Sequence, residues 1–202
     1  MKNTLLFLVF LFLFTSGKGS SCTETVVDPA DFQKITAHIE AEVIKKMIKD
    51  GIAPDATVIE KNMSEGKLSI SVGAAMFTFI PISEKDFIIG DLNGDGQKDI
   101  IAPVYSEFGA SGTAMDYYIF VYQENTLYFF QMFSSDILGE AVKGAIGEKG
   151  NFQLTEIKDG SLLGHSDVWL NEDANCCPSL HYVALISISN GIKLIEKAQV
   201  KE

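Results

Sequence analysis

DFIIGDLNGDGQKDIIAPVYS, residues 86–106, is the stretch whose reading decides the fold. Three aspartates, one asparagine and three glycines fall between Gly90 and Ile100, inside flanks rich in isoleucine, valine and aromatic residues. Oxygen-bearing side chains stand at Asp91, Asn93, Asp95 and Asp99, positions one, three, five and nine of a loop. Alternation turns the first three toward the inside of a tight curve. Gly96 permits the sharp turn after the third, and the Gln97 backbone carbonyl follows inward. Hard cations such as calcium take about six to eight oxygen ligands. Asp91, Asn93, Asp95, Gln97 and Asp99 are therefore candidate calcium ligands, Asp99 directly or through water. The helix-loop-helix form of such a site needs a bidentate glutamate at position twelve, but that position is Ala102. The flanks also have strand composition, so the loop is expected to join two β-strands. The competing reading is an Asp/Asn/Gly turn that binds nothing. Three carboxylates repelling one another at close range count against it.

The same strand texture runs outward from the loop. ATVIEK (56–61), KLSISV (67–72) and AMFTFIP (75–81) precede it, each β-branched or aromatic and bounded by turn residues. Pro103 in the outgoing strand suggests a sheet edge or a bulge. DYYIFVYQ and TLYFFQMF flank Glu124-Asn125 as a hairpin, and FQLTEI and SLLGHSDVWL flank a KDG turn. LHYVALISIS and IKLIEKAQV are joined by Asn190-Gly191, which predicts a two-residue hairpin. The loop occurs once, which argues against a propeller or repeat array. Ahead of the strands, residues 29–50 read as one helix. Asp28 is its N-cap, Pro29 its first residue and Gly51 its stop. Phe32, Ile35, Ile39, Val43 and Met47 form its apolar stripe. The expectation is an α+β fold of about ten strands, with this helix packed on a predominantly antiparallel sheet or sandwich. Residues 28–202 would be a single domain, its β-rich part spanning 56–200.

The N-terminus has a different logic. Lys2 precedes ten apolar residues, Leu5 to Phe14, followed by small residues. Ten residues span about 15 Å of helix, roughly half a bilayer core, which predicts a secretory signal over 1–21. Cys22 follows Gly19, Ser20 and Ser21, an arrangement that resembles a bacterial lipoprotein signal, although Gly19 stands where such signals usually have leucine. Cys22 is thus the candidate lipidation site and 22–27 a short tether; ordinary cleavage between Gly17 and Cys22 is the alternative. The mature chain would be exported, either lipid-anchored in the cell envelope or periplasmic or secreted, touching a membrane only through that lipid.

Charge narrows the partners. All sixteen basic residues are lysine, and losing Lys2 and Lys18 with the signal moves the net charge from −11 to −13. An acidic chain without arginine lacks the residue that best reads phosphates and base edges, so no nucleic-acid partner is expected. Cys176 and Cys177 are adjacent, and a vicinal disulfide between them is a candidate. It would be strained, because neighbouring Cα atoms lie closer than disulfides prefer. The alternatives are two plain thiols or a soft-metal site with His181, for which no further ligand is evident. His38, His165 and Trp169 sit in no recognised catalytic motif. Tyr117, Tyr118, Phe120, Tyr122, Tyr128, Phe129 and Phe130 are expected to form sheet faces.

DLNGDGQKD, then GASGT (109–113), the EIKDG turn (156–160) and NCCPS (175–179), together resemble a family of uncharacterised bacterial exported proteins and lipoproteins. These carry one calcium loop of the FG-GAP kind and, in some members, a CCPS stretch. The resemblance covers residues 86–189 and implies a fold and a location, with no catalytic residues to carry over. The functional expectation is a calcium-stabilised, non-catalytic binding or structural domain of the envelope, acting on an envelope protein or small ligand. The alternative is an envelope enzyme, either a hydrolase or a thiol-disulfide protein using Cys176 and Cys177.

Overall fold

A computed structural model describes residues 28–109, 112–174 and 176–200. The signal, the tether and Cys22 lie outside the described residues.

Helix α1 runs Pro29–Lys49. The Asp28 side chain accepts a hydrogen bond from Ala30 N at 2.8 Å, Pro29 supplies a pre-set first residue, and Lys46 and Lys49 lie at the negative end. Phe32, Ile35, Ile39, Val43 and Met47 are buried, as the stripe predicts. Burying each removes about 2 kcal/mol of unfavourable apolar hydration, which is what fixes the helix to the sheet beneath it.

That sheet has seven strands: β1 (Glu60–Ser64), β2 (Lys67–Val72), β3 (Met76–Pro81), β4 (Ile88–Gly90), β5 (Asp99–Glu107), β6 (Thr113–Gln123) and β7 (Thr126–Ser134). The order is β1-β2-β3-β5-β6-β7, with β4 also paired to β5, and every pair is antiparallel. A short helix α2 (Ser135–Lys143) then leads into a five-stranded sheet. Its strands are β8 (Lys149–Gly150), β9 (Gln153–Lys158), β10 (Ser161–Trp169), β11 (Leu180–Ser187) and β12 (Lys193–Gln199). These too pair only antiparallel, in the order β12-β11-β10-β8, with β9 also on β10.

Alternation in the central strands generates two cores. Ile100, Ala102, Val104, Tyr118 and Phe120 face α1, whereas Ile101, Tyr117, Ile119 and Val121 face the second sheet. On that side they meet Leu138 and Val142 of α2 and Leu154, Leu162, Tyr182, Ala184 and Ile186. The layers are helix, sheet, sheet. With 48% of residues in strands, the fold is β-rich and antiparallel, and the α+β label fits it only loosely.

Three local expectations need correction. ATVIEK begins as a 3₁₀ turn at Ala56–Val58, because the Asp55 carboxylate takes the Thr57 amide at 2.8 Å; β1 starts only at Glu60. Pro103 lies neither on an edge nor at a bulge. It pairs with Tyr117 in register, and on its other side the pairing of β5 with β4 ends at Ile101 and that with β3 begins at Tyr105. A residue without an N–H fits such an interruption of the ladder. Asn190-Gly191 does not make a two-residue hairpin either. The ladder closes at Ser187 and Lys193, because Ile188 is buried in the second core and holds the segment out of register. The Glu124-Asn125 and Asp159-Gly160 turns are two-residue hairpins, with both central residues at positive φ.

An acidic loop and a cysteine loop at opposite ends of the sandwich

The acidic loop joins β4 to β5, as its flanks predict. Gly94 and Gly96 take φ of 78° and 84°, which lets the chain double back on itself. The side chains then grip the loop's own amides. Asp91 accepts from Gly94 N at 2.6 Å and Gly96 N at 2.9 Å, Asn93 from Asp95 N at 3.0 Å, and Asp95 from Gln97 N at 2.7 Å. Asp99 behaves differently. It is fully buried, and its two oxygens accept from Leu92 N and Tyr122 N, both at 2.9 Å. Burial pushes its carboxyl above the usual range against the pull of those amides, and the nearby Asp95 charge adds to the rise.

The EIKDG turn, 60 residues and more beyond Gly96 in sequence, packs directly on this loop. A Cβ on Gly90 would lie 2.7 Å from Ile157 Cβ, and one on Gly160 would lie 3.2 Å from the Leu92 carbonyl oxygen. Beside them is a cavity of about 190 Å³ lined by Leu92, Asn93, Val121, Gln123, Phe130, Ile188 and Ser189.

Among the described residues, no three Asp, Glu, His or Cys side chains converge at metal-holding distance. Asp91, Asn93 and Asp95 are brought into one turn and Asp99 is set behind it as an anchor. Each carboxylate oxygen that accepts one N–H keeps a further lone pair.

Tyr122 was not legible as a site residue. Its amide holds Asp99 and its hydroxyl donates to Asp31 in the first turn of α1, so one β6 residue ties loop to helix. Burial opposes ionisation of Asp31, but the Lys34 ammonium and the Tyr122 hydroxyl outweigh it and hold the carboxyl below its ordinary value. Burial and the facing Asp31 push the Tyr122 phenol far up.

The cysteine loop, between β10 and β11, lies at the other end. β10 begins at Ser161, next to the acidic-loop end, and finishes at Trp169; its nine residues span about 30 Å. Cys176 and Cys177 are exposed free cysteines. A hydrogen bond with Cys176 pushes the Cys177 thiol up, with desolvation and the neighbouring Cys176 and Asp173 charges adding to it. The loop's base is closed by Asp173, which accepts from Leu170 N at 2.7 Å, Ser179 N at 2.8 Å and the Ser179 hydroxyl. His181 does not join the thiols in a metal cluster; its Nδ1 is 2.7 Å from Asp167 Oδ1 across the β10–β11 pair.

His38 lies against Phe129 and Phe120, with ring centroids 4.6 and 5.5 Å away, and its buried Nε2 has no hydrogen-bond partner. His165 points outward from β10, and Trp169 lies under the Lys149 ammonium. Tyr117, Tyr118 and Phe120 are core, but Tyr128, Phe129 and Phe130 of edge strand β7 are exposed, which the sheet-face reading did not foresee. No helix among the described residues is long and apolar enough to cross a membrane. No protein-family model matches the chain, and neither a curated protein nor a solved structure matches it.

Proposed function

We propose that this chain is an exported, calcium-stabilised, non-catalytic binding or structural domain of the bacterial cell envelope, lipid-anchored at Cys22. The observation that carries this reading is the carboxylate arrangement of the β4–β5 loop. Asp91 and Asp95 stand in one turn, and the Asp95 charge bears on a buried Asp99 whose ionisation the protein already disfavours. Calcium in the loop would supply the positive charge that these groups lack. Asp91, Asn93, Asp95 and the Gln97 carbonyl would hold it, and Asp99 would keep the loop seated on β6. Because the side chains are engaged with loop amides, loading requires them to shift. That fits the modest affinity of extracellular modules, about 10⁻⁴–10⁻³ M. The role is then a clip between two strands, with partner contacts elsewhere on the surface.

Thermal melting of the mature protein, with calcium and with chelator, tests this. At a dissociation constant of about 0.1 mM, 1 mM calcium adds about 1.4 kcal/mol, or a rise of roughly 4 °C for a domain this size. Asp95→Ala should melt at the same temperature in both conditions. A wild-type melting point indifferent to calcium overturns the reading, and the mass of the mature N-terminus reports whether Cys22 carries a lipid.

A further inference from the structure

The CCPS segment has no part in the proposed calcium clip, and its chemistry points to a site of its own. We propose that Cys176 and Cys177 form a redox-modification site that reacts with low-molecular-weight disulfides and closes reversibly into a bond between the two sulfurs. Both thiols are free and exposed. They are successive in the chain and hydrogen-bonded to each other, so the second thiol stands beside any adduct formed on the first.

The exchange balances without a further cofactor. One cysteine thiolate attacks a disulfide RSSR, forming a mixed disulfide and expelling RS⁻. The neighbouring thiol releases its proton to solvent and attacks the protein sulfur of that mixed disulfide. The ring closes and a second RS⁻ leaves. Two protein thiols lose two electrons and two protons, and RSSR becomes two RSH.

Two features make the product labile. A trans peptide holds adjacent Cα atoms 3.8 Å apart, against about 4.4–6.8 Å in ordinary disulfides, so the ring is strained and easily reduced. The bonds that close the loop's base, from Leu170 and Ser179 to Asp173, use neither sulfur nor any atom of the eight-membered ring. Ring closure therefore alters the loop's crown while its base stays fixed. The raised Cys177 thiol limits thiolate supply, so closure should accelerate as pH rises through the thiol range.

The test uses the full chain and oxidised glutathione. Trypsin places both cysteines in one peptide, residues 159–193, apart from the peptide that bears Cys22. The expected wild-type product is that peptide lighter by two hydrogens and free of glutathione, restored by excess reduced glutathione. Cys176→Ser and Cys177→Ser should each retain a stable glutathione adduct on the remaining thiol. Stable adducts on the wild type, or thiols that stay unmodified, overturn the proposal. Calcium does not enter this experiment, so its outcome is separate from that of the melting test.

Discussion

Asp99 shows how one residue can belong to a sequence pattern and yet do different work from its fellows. Asp91 and Asp95 shape the loop from within; Asp99 is buried behind it and satisfies two amides that lie 30 residues apart, Leu92 and Tyr122. Asp99→Ala leaves both donors unmet, at about 1–3 kcal/mol each, and should lower the melting temperature by roughly 10 °C. Asp91→Ala, on the half-exposed loop, should cost less in chelator. The pH dependence has a definite sign. The folded-state carboxyl lies above its unfolded value, so the folded state binds the proton more tightly. In chelator, the stability of wild type relative to Asp99→Asn should therefore rise as pH is lowered from neutral toward the unfolded carboxyl range. Urea melts across that range check it, and a relative stability that falls on acidification contradicts the burial argument. The loop spacing was legible because it is local. The division of labour within it was not, because the Tyr122 amide comes from another strand.

At the scale of elements, β6 is the organiser. It is buried on both faces between α1 and the second sheet, and Tyr122 joins the acidic loop to the first turn of the helix. Tyr122→Phe keeps the amide bond to Asp99 and removes only the hydroxyl bond to Asp31. A hydrogen bond to a charged group contributes about 1.5–3 kcal/mol, which discounted for partial exposure predicts a loss near 1.5 kcal/mol at neutral pH. The Asp31 carboxyl is held below its ordinary value, so this contribution is present above the unfolded carboxyl range and lost as pH falls through the folded value. Denaturant melts of both proteins at neutral and at strongly acidic pH should diverge and then converge; a gap that persists in acid would place the effect in packing. What could be read ahead of the structure follows the same local rule. α1 announced itself by cap and stripe, and the hairpins at Glu124-Asn125 and Asp159-Gly160 by their turn residues. Helix α2 went unread although Ser134 caps it by accepting from Ile137 N and Gly144 ends it at φ 61°. Nine residues behind an aromatic strand give too short a period to stand out. Asn190-Gly191 misled because burial of Ile188 overrode turn preference.

Across the whole molecule, the length of β10 and β11 separates the two motifs of the sequence that carry chemistry. The acidic loop, the Asp159-Gly160 turn and the segment around Ile188 gather at one end, where Gly90 and Gly160 let the two sheets close on the loop. Cys176 and Cys177 lie beyond the opposite ends of β10 and β11, about 30 Å away. Both strands are rigidly laddered, with Leu162, Val168, Tyr182 and Ile186 fixed in the second core. A core packed in this way transmits a change between sites only if it has two alternative arrangements, and the strands of the described residues form two antiparallel sheets in which each pairing keeps one register apart from local bulges. The two ends should therefore be energetically independent. Sites this far apart with no shared partner add within about 0.5 kcal/mol. The calcium-induced rise in melting temperature should be the same in wild type, in Cys176→Ser and in Cys177→Ser, and the same before and after treatment with oxidised glutathione. Calorimetric melts of all four samples, each with calcium and with chelator, measure this directly. A calcium shift that changes by more than about 2 °C with the state of the cysteines would show that the sheets move against each other, and that the clip and the thiol pair report to a common conformational change.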